Sequence, residues 1–378
     1  MTQKPFRPFI CFGTRPEAIK LAPIIQECKK LTQIEPIICS TGQHREMLKQ
    51  VTDYFCVNPE VELNVMTHDQ SLSSLTARLL SEISKATETL QPDCIIAQGD
   101  TTTVMVSAMV AFYQKTPFCH VEAGLRTNDL YAPWPEEFNR RLVGLSADFH
   151  FTPTQRASNA LLREGVESSK IFMTGNTVID ALLSAKKREC TEDSPWGKKY
   201  SFLGDKKMIL ITGHRRENFG DGFNNICLGI RRLAEMNPDC EFLYPVHLNP
   251  NVQKPVFKIL GKEKNIHLIK PAPYPEFIWL MNRCELMITD SGGVQEEGPS
   301  FKKPIIVTRE TTERPEAVDA GAVLLVGSNQ EKLVELVHKL LSDPAERENF
   351  IVDKNPYGDG QASTRIIDIL ISNFCKNN

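Results

Sequence analysis

Short apolar runs alternate with longer stretches of helical spacing along most of the chain. Phe9-Ile10-Cys11-Phe12 reads as a buried strand, and Gly13-Thr14-Arg15-Pro16-Glu17 leads from it into a helix with proline near its first position. Pro36-Ile37-Ile38-Cys39 is the second strand and runs out into Ser40-Thr41-Gly42-Gln43-His44. Leu72, Leu75, Leu79, Leu80 and Ile83 mark the apolar stripe of an amphipathic helix. Asp93-Cys94-Ile95-Ile96-Ala97 ends at Gln98-Gly99-Asp100, before a helix capped by Thr101 or a neighbour. Phe118-Cys119-His120-Val121 ends at Glu122-Ala123-Gly124, and Asp148-Phe149-His150-Phe151-Thr152 is a further strand.

The region from Thr174-Gly175-Asn176 to Gly204-Asp205, polar and charged over residues 186–206, reads as a linker, after which the pattern restarts. Met208-Ile209-Leu210-Ile211 ends at Thr212-Gly213-His214, and Glu241-Phe242-Leu243-Tyr244-Pro245-Val246 ends at His247. Glu285-Leu286-Met287-Ile288 ends at a Ser-Gly-Gly turn, with a helix expected from Val294 to Phe301. Pro304-Ile305-Ile306-Val307 and Val323-Leu324-Leu325-Val326 follow, then helices near 330–342 and 361–375. Continuous apolar strands alternating with helices require a parallel sheet covered on both faces. The expected fold is α/β, with two doubly wound domains facing a cleft. Residues 1–177 form the first domain, with the C-terminal helix (361–378) packed back on it, and residues 178–360 form the second. Glycine and proline concentrate near 175–205 and 355–361, where hinges are expected.

At 378 residues the chain exceeds one small core. A net charge of −3 lacks the basic footprint of a nucleic-acid binder, and no apolar run spans a bilayer. The start of the chain has no long apolar core with a cleavage site, so the expected compartment is the cytoplasm. The 11 cysteines are scattered and none forms a Cys-x-x-Cys pair, so they are read as buried thiols. No His-x-x-x-His spacing suggests a metal site.

Ligands in open α/β sheets bind outside the carboxyl ends of the strands, and the polar clusters fall there: Arg15, His44, Asp100, Glu122, His214, His247, Ser291 and Arg314. In Thr-Asp-Ser-Gly-Gly-Val-Gln-Glu-Glu-Gly-Pro (289–299), backbone N–H groups and a helix start suit a phosphate, and Glu296 or Glu297 suits a ribose hydroxyl. An ordinary helix start would look the same. Arg15 and Lys20 offer cations at another helix start, without the spacing of a P-loop or a dinucleotide fingerprint. Asp100 is either a helix N-cap or a corner carboxylate. Glu122 ends a strand, while Glu136 and Glu137 open a helix, where acidic residues suit the dipole. His214, Arg215 and Arg216 would repel one another unless an anion sat between them. His214 is the candidate to bind or protonate a departing phosphate.

Six stretches carry a family resemblance: Phe-Gly-Thr-Arg-Pro-Glu-Ala-Ile-Lys (12–20), Gln-Gly-Asp-Thr-Thr-Thr (98–103), His-Val-Glu-Ala-Gly-Leu-Arg-Thr (120–127), Thr-Gly-His-Arg-Arg-Glu-Asn (212–218), Thr-Asp-Ser-Gly-Gly-Val-Gln-Glu-Glu (289–297) and Thr-Thr-Glu-Arg-Pro-Glu (311–316). From about residue 8 to 375 the chain resembles the bacterial non-hydrolysing UDP-N-acetylglucosamine 2-epimerases. That resemblance implies a GT-B-like pair of Rossmann-like domains and interconversion of UDP-N-acetylglucosamine with UDP-N-acetylmannosamine. It further implies no cofactor, no metal, a homodimer, and a product destined for surface polysaccharide. It places Arg15, His214, Phe277, Ser291, Gly292, Gly293, Glu297 and Arg314 on the uridine diphosphate, with Lys20 assisting. Asp100, Glu122 and Glu136 match the acid–base carboxylates, and His214 joins them in the chemistry. A second UDP-N-acetylglucosamine acts as activator in such enzymes, and Gln43, His44, Glu137, Arg215 and His247 lie in motifs matching that region. Relatives often have Gln near Phe277; Ala272 stands here, so any contact to the base is expected from the backbone.

The hydrogen on C2 of such a sugar is barely acidic. With no nicotinamide site visible, expulsion of UDP from C1 to give a 2-acetamidoglucal is the expected route. A hydrolysing epimerase, a GT-B glycosyltransferase and a non-catalytic nucleotide-sugar sensor are the competing readings.

Overall fold

The computed structural model describes residues 4–42, 45–67 and 70–375, and for residues 45–47 the backbone alone. Two compact units divide the chain: Met1–Ala181 with Tyr357–Asn378, and Leu182–Pro356. The division falls inside helix Thr177–Glu189.

The first unit is built on seven strands: β1 (Pro8–Phe12), β2 (Ile37–Ser40), β3 (Val61–Glu62), β4 (Cys94–Gln98), β5 (Phe118–Val121), β6 (Phe149–Thr152) and β7 (Ile171–Met173). Their order is β3-β2-β1-β4-β5-β6-β7, and every neighbouring pair is parallel. The second unit has six strands: β8 (Lys207–Thr212), β9 (Cys240–Pro245), β10 (Ile266–Ile269), β11 (Leu286–Thr289), β12 (Ile305–Val307) and β13 (Val323–Leu325). They lie in the order β10-β9-β8-β11-β12-β13, again all parallel. Both units are therefore doubly wound α/β sheets. The winding direction reverses between β1 and β4, and between β8 and β11. At these points the loops on neighbouring strand ends part and leave room for a ligand.

Burial explains the central strands. β1, β4 and β5 are buried along their whole length, so apart from Gln98 and His120 near their carboxyl ends their side chains are apolar on both faces. One face of the first sheet packs Phe9, Cys11, Ile95 and Ala97 against Leu79 and Ile83 of helix Leu72–Leu90 and Val104 and Ala108 of helix Thr102–Gln114. In the second sheet Ile209, Ile211, Phe242 and Tyr244 meet Ile230 and Leu233 of helix Asp221–Met236 and Val337 and Leu340 of helix Gln330–Ser342. The C-terminal helix, Ala362–Phe374, lies against helix Arg15–Lys29. The Asp180 carboxylate accepts the N–H groups of Ala362 and Ser363 at its start, and Phe374 stacks on Phe6 at 4.8 Å near its end.

Three strands escape the apolar pattern: β3, β7 and β10. All three are partly exposed edge strands: β3 is only two residues and carries Glu62, β10 is interrupted by His267, and β7, though apolar, is only three residues long. The stretch read as a polar linker folds instead. Helix Thr177–Glu189 lies within it, and helix Pro195–Lys199 and a 3-10 turn Ser201–Leu203 follow. Tyr200 and Leu203 are buried there, which the surrounding charges concealed. The helix expected from Val294 begins at Gly292 and tightens to a 3-10 turn after Glu297. The cysteines are free thiols, but Cys56 is exposed and Cys190 and Cys375 are half-buried. Burial pushes the thiols of Cys28, Cys227 and Cys284 up to about 12. Among the described residues no helix is long and apolar enough to cross a membrane.

Gly124 sits two residues past Glu122 at φ +88, and a Cβ there would collide with the backbone carbonyl of Ala157. Gly165 has a similar φ, +87, but nothing within 4 Å of its Cβ position. Gly124→Ala should therefore lower the unfolding free energy by about 2 kcal/mol or more, and Gly165→Ala by about 1 kcal/mol, both read by urea denaturation. Equal losses in the two variants would mean that backbone strain alone, without the collision, governs position 124.

Candidate active site

In the first unit the site begins with the loop after β1. Thr14 precedes helix Arg15–Lys29, and the Glu17 carboxylate reaches back to the N–H groups of Gly13 (3.1 Å) and Thr14 (2.7 Å). The other Glu17 oxygen accepts the Thr101 hydroxyl at 2.7 Å. One buried carboxylate thus ties the loop after β1 to the loop after β4. Burial pushes the Glu17 carboxyl up, and its four donors oppose that shift. Arg15 stands exposed beside this knot.

Thr101, and not Asp100, caps helix Thr102–Gln114. Asp100 is left for a different partner: its carboxylate meets the Arg140 guanidinium at 2.8 Å. Asn139 holds the Asp100 carbonyl from the same helix, Glu136–Ser146. Glu136 begins that helix, one turn before Asn139 and Arg140, and is half-buried. His120 donates from Nε2 to the Gly99 carbonyl at 2.8 Å and braces the same turn. Burial lowers the His120 imidazole to about 3, so it is neutral.

Glu122 follows β5 in a left-handed backbone conformation, φ 63, unusual for a side chain of this length. Its carboxylate is buried and gathers donors. Lys20 Nζ lies 2.6 and 2.8 Å from its two oxygens, Asn176 Nδ2 donates at 3.1 Å, and Gln98 Nε2 also donates. Gln98 ends β4 and is followed by Gly99 and Asp100, so the two carboxylates share one corner of the sheet. Glu137 does something else. It is fully buried and accepts the N–H groups of Thr127 and Asn128, with Arg141 at 3.0 Å and Arg140 at 3.5 Å. Burial pushes its carboxyl up, but these donors outweigh that and hold it below the ordinary range. In this conformation Glu137 is a strut for the 127–128 turn and presents no surface to a ligand.

The second unit repeats the architecture with other chemistry. Asp290, after β11, is fully buried, and one of its oxygens accepts the N–H groups of His214 and Arg215, each at 2.8 Å. His214 Nδ1 lies 3.5 Å from its other oxygen. The His214 ring stacks on His247 with centroids 5.3 Å apart. A Cβ on Gly292 would sit 3.3 Å from the Arg314 guanidinium carbon and 3.5 Å from Arg215 Nη2, so glycine admits both cations to the turn. Ser291 precedes helix Gly292–Glu297 and is half-buried, while Gly293 is exposed. Six residues make a weak dipole, so side-chain cations carry most of the positive charge here. Tyr274 donates to Glu297 at 2.9 Å, and Phe277 lies half-buried on the same helix as Tyr274.

His214 faces the Asp290 carboxylate, and two further cations of this unit, Arg314 and Arg309, are paired with carboxylates. Arg314 meets Glu296 at 2.9 Å and Glu313 at 3.4 Å. Buried Arg309 binds Glu217 at 2.6 Å and Glu313 at 3.0 Å. Glu296, considered for a ribose hydroxyl, is thus engaged with Arg314. Arg215 Nε is buried without a hydrogen-bond partner. Gln43 and His44 lie outside the described residues. Among the described residues no group of three or more His, Cys, Asp or Glu is placed to hold a metal ion.

Sequence reasoning missed Gln98, Asn176, Arg140, Asp290 and Glu17. Gln98 and Asp290 stood inside motifs already singled out, at strand ends, where a polar residue beside a carboxylate or histidine is a usable signal. Asn176 and Arg140 had none, because their partners lie 54 and 40 residues away in the chain.

A family model described as UDP-N-acetylglucosamine 2-epimerase matches residues 26–371. The UDP-N-acetylglucosamine 2-epimerase of Escherichia coli (strain K12) is 50% identical over 366 residues, covering 96% of this chain and 97% of its own length. A crystal structure of UDP-GlcNAc 2-epimerase from Neisseria meningitidis bound to UDP-GlcNAc has a TM-score of 0.92 and 45% identity, covering 97% of this chain and all of that one. The Methanocaldococcus jannaschii enzyme, in complex with UDP-GlcNAc and UDP, has a TM-score of 0.81 at 38% identity, with 97% of this chain and 100% of that chain covered.

The Glu313 carboxyl is pushed up by burial, but Arg309, and after it Arg314 and Arg215, bring it down to about 2. Its unfolded value is 4.5, so this pairing stabilises the fold above pH 4.5 and is lost as pH falls toward 2. Glu313→Gln should be less stable than the parent by on the order of 3 kcal/mol at neutral pH. Urea titrations at pH 7 and pH 3 check this: the gap between the two proteins narrows at the lower pH, and a constant gap removes Glu313 as its source.

Proposed function

The chain belongs to the UDP-N-acetylglucosamine 2-epimerase family, and from that premise we propose that it inverts C2 of UDP-N-acetylglucosamine reversibly, without net hydrolysis. The observation that carries the reading is the corner holding Glu122 and Asp100. A pocket built only to bind a diphosphate gains nothing from two carboxylates, one of them buried in a left-handed conformation and held by Lys20, Gln98 and Asn176. A reaction that moves a proton on and off carbon needs them.

The steps balance as an elimination and its reverse. The bond from C1 to the β-phosphate oxygen breaks, and UDP leaves with the electron pair. A carboxylate takes the proton from C2, and a double bond forms between C1 and C2. UDP then adds back to C1 while an acid protonates the opposite face of C2. Asp100, Glu122 and Glu136 are the groups available for the two proton transfers. His214, Arg215 and Arg314 of the second unit supply positive charge for the leaving diphosphate. Lys20 and Asn176 hold the Glu122 carboxylate in one orientation, which spares the reaction the cost of ordering it. Arg140 does the same for Asp100.

In heavy water, the purified protein given UDP-N-acetylglucosamine should yield both nucleotide sugars with deuterium at C2, and no free N-acetylmannosamine. Release of the free sugar with UDP would reassign the chain to hydrolytic epimerisation; inversion without deuterium at C2 would rule out elimination. Glu122→Gln should reduce turnover by roughly 100-fold or more, the usual scale for a lost acid or base. An unimpaired variant would take Glu122 out of the scheme.

A further inference from the structure

We infer that Asp290 is a positioning residue for His214: it fixes the imidazole with its proton on Nδ1 and leaves Nε2 as the nitrogen that meets the departing diphosphate. This rests on the function proposed above for the role of Nε2, but the tautomer itself follows from geometry alone.

Asp290 is completely buried. Its Oδ2 receives two backbone N–H groups, from His214 and Arg215, both at 2.8 Å, which fixes the plane of the carboxylate. Its Oδ1 has no hydrogen-bond partner, yet it lies 3.5 Å from His214 Nδ1. A buried carboxylate oxygen facing a nitrogen lone pair would be both desolvated and repelled. A proton on Nδ1 turns that repulsion into attraction, so the Nδ1–H tautomer is the one this site favours.

A second histidine packs on one side of the ring. His247 stacks against it at an interplanar angle of 20°, and His247 is itself held, because its Nδ1 accepts the N–H of Asn249 at 3.1 Å. Tyr244 donates to the Gly213 carbonyl at 3.1 Å and pins the residue before His214. A Cβ on Gly213 would meet that tyrosine hydroxyl at 2.9 Å, so the strand end is packed to its limit.

The chemical consequence concerns the leaving group. With Nδ1–H turned to a buried anion, Nε2 takes a proton from solvent to give the imidazolium and hands it to a phosphate oxygen as the C1–O bond breaks and UDP departs. Asp290 balances the imidazolium charge that exists between those two events. On re-addition of UDP the proton returns by the same path. Buried aspartates beside histidines in hydrolytic triads act through tautomer and charge in this way.

Two measurements on the full-length protein test this. In a long-range 1H–15N spectrum of 15N-histidine-labelled protein, the His214 signals are assigned by their loss in His214→Gln. The neutral ring in the parent should show a protonated Nδ1. In Asp290→Asn the amide oxygen can keep the backbone N–H groups while its NH2 faces the ring. Nδ1 then becomes an acceptor and the tautomer reverses. The kcat of that variant should fall by roughly 100-fold or more, with KM and UDP affinity changed less than about threefold. An unprotonated Nδ1 in the parent overturns the inference, and that spectrum decides the matter even if Asp290→Asn fails to fold. A reversed tautomer with unchanged kcat also overturns it. A parent that shows Nδ1–H but no epimerisation supports the Asp290–His214 pairing and removes the proposed function instead.

Discussion

A buried carboxylate that accepts backbone N–H groups at a strand end is the device on which both halves of this protein rest. Glu17 does it at the switch between β1 and β4, holding Gly13, Thr14 and Thr101. Asp290 does it at the switch between β8 and β11, holding His214 and Arg215. At a switch point the neighbouring loops have no strand partners to hold them, so something must hold them against solvent and against each other. A carboxylate is suited to this, because each oxygen accepts more than one donor and charge strengthens every bond. The cost is a desolvated anion, which is tolerable only while those donors stay in place.

That constraint orders the chemistry around it. In the first unit the Glu17 knot brings the Arg15 turn and the Asp100 turn to one edge of the sheet. Asp100 then finds Arg140, and Glu122 finds Lys20, so each of these carboxylates is matched with a cation and neither is left bare in a low-dielectric corner. In the second unit the cations are more numerous, and Glu313, Glu296 and Glu217 separate them. The cost of bringing like charges together is offset in the fold by these carboxylates.

Much of this is legible in the chain itself. The strands that cross the middle of each sheet are apolar on both faces, and the run of such strands with helices between them yields the parallel, doubly wound folds. The six motifs reveal the family, because each sits where a strand ends and a ligand can reach. The edge strands β3, β7 and β10 were invisible because, half-solvated, they are very short or interrupted by a polar residue. The short helix at Pro195–Lys199 was hidden by its own charges, which face water while Tyr200 beside it is buried.

The sequence by itself determined the class of fold, the family, and which strand ends carry polar chemistry, since all three follow from local alternation and local motif. Only the tertiary structure decided which of those polar residues are buried in the framework and which stay open to solvent. Glu136 and Glu137 are adjacent and alike in the chain, but helix geometry turns Glu137 wholly inward onto Thr127 and Asn128 and leaves its neighbour half-exposed. Asp100 looks like a helix cap until Thr101 takes that place and Arg140 arrives from another helix. The reason is that a carboxylate's role is set by the donors within about 3 Å of it. Those donors come from segments whose separation along the chain bears no relation to their separation in space.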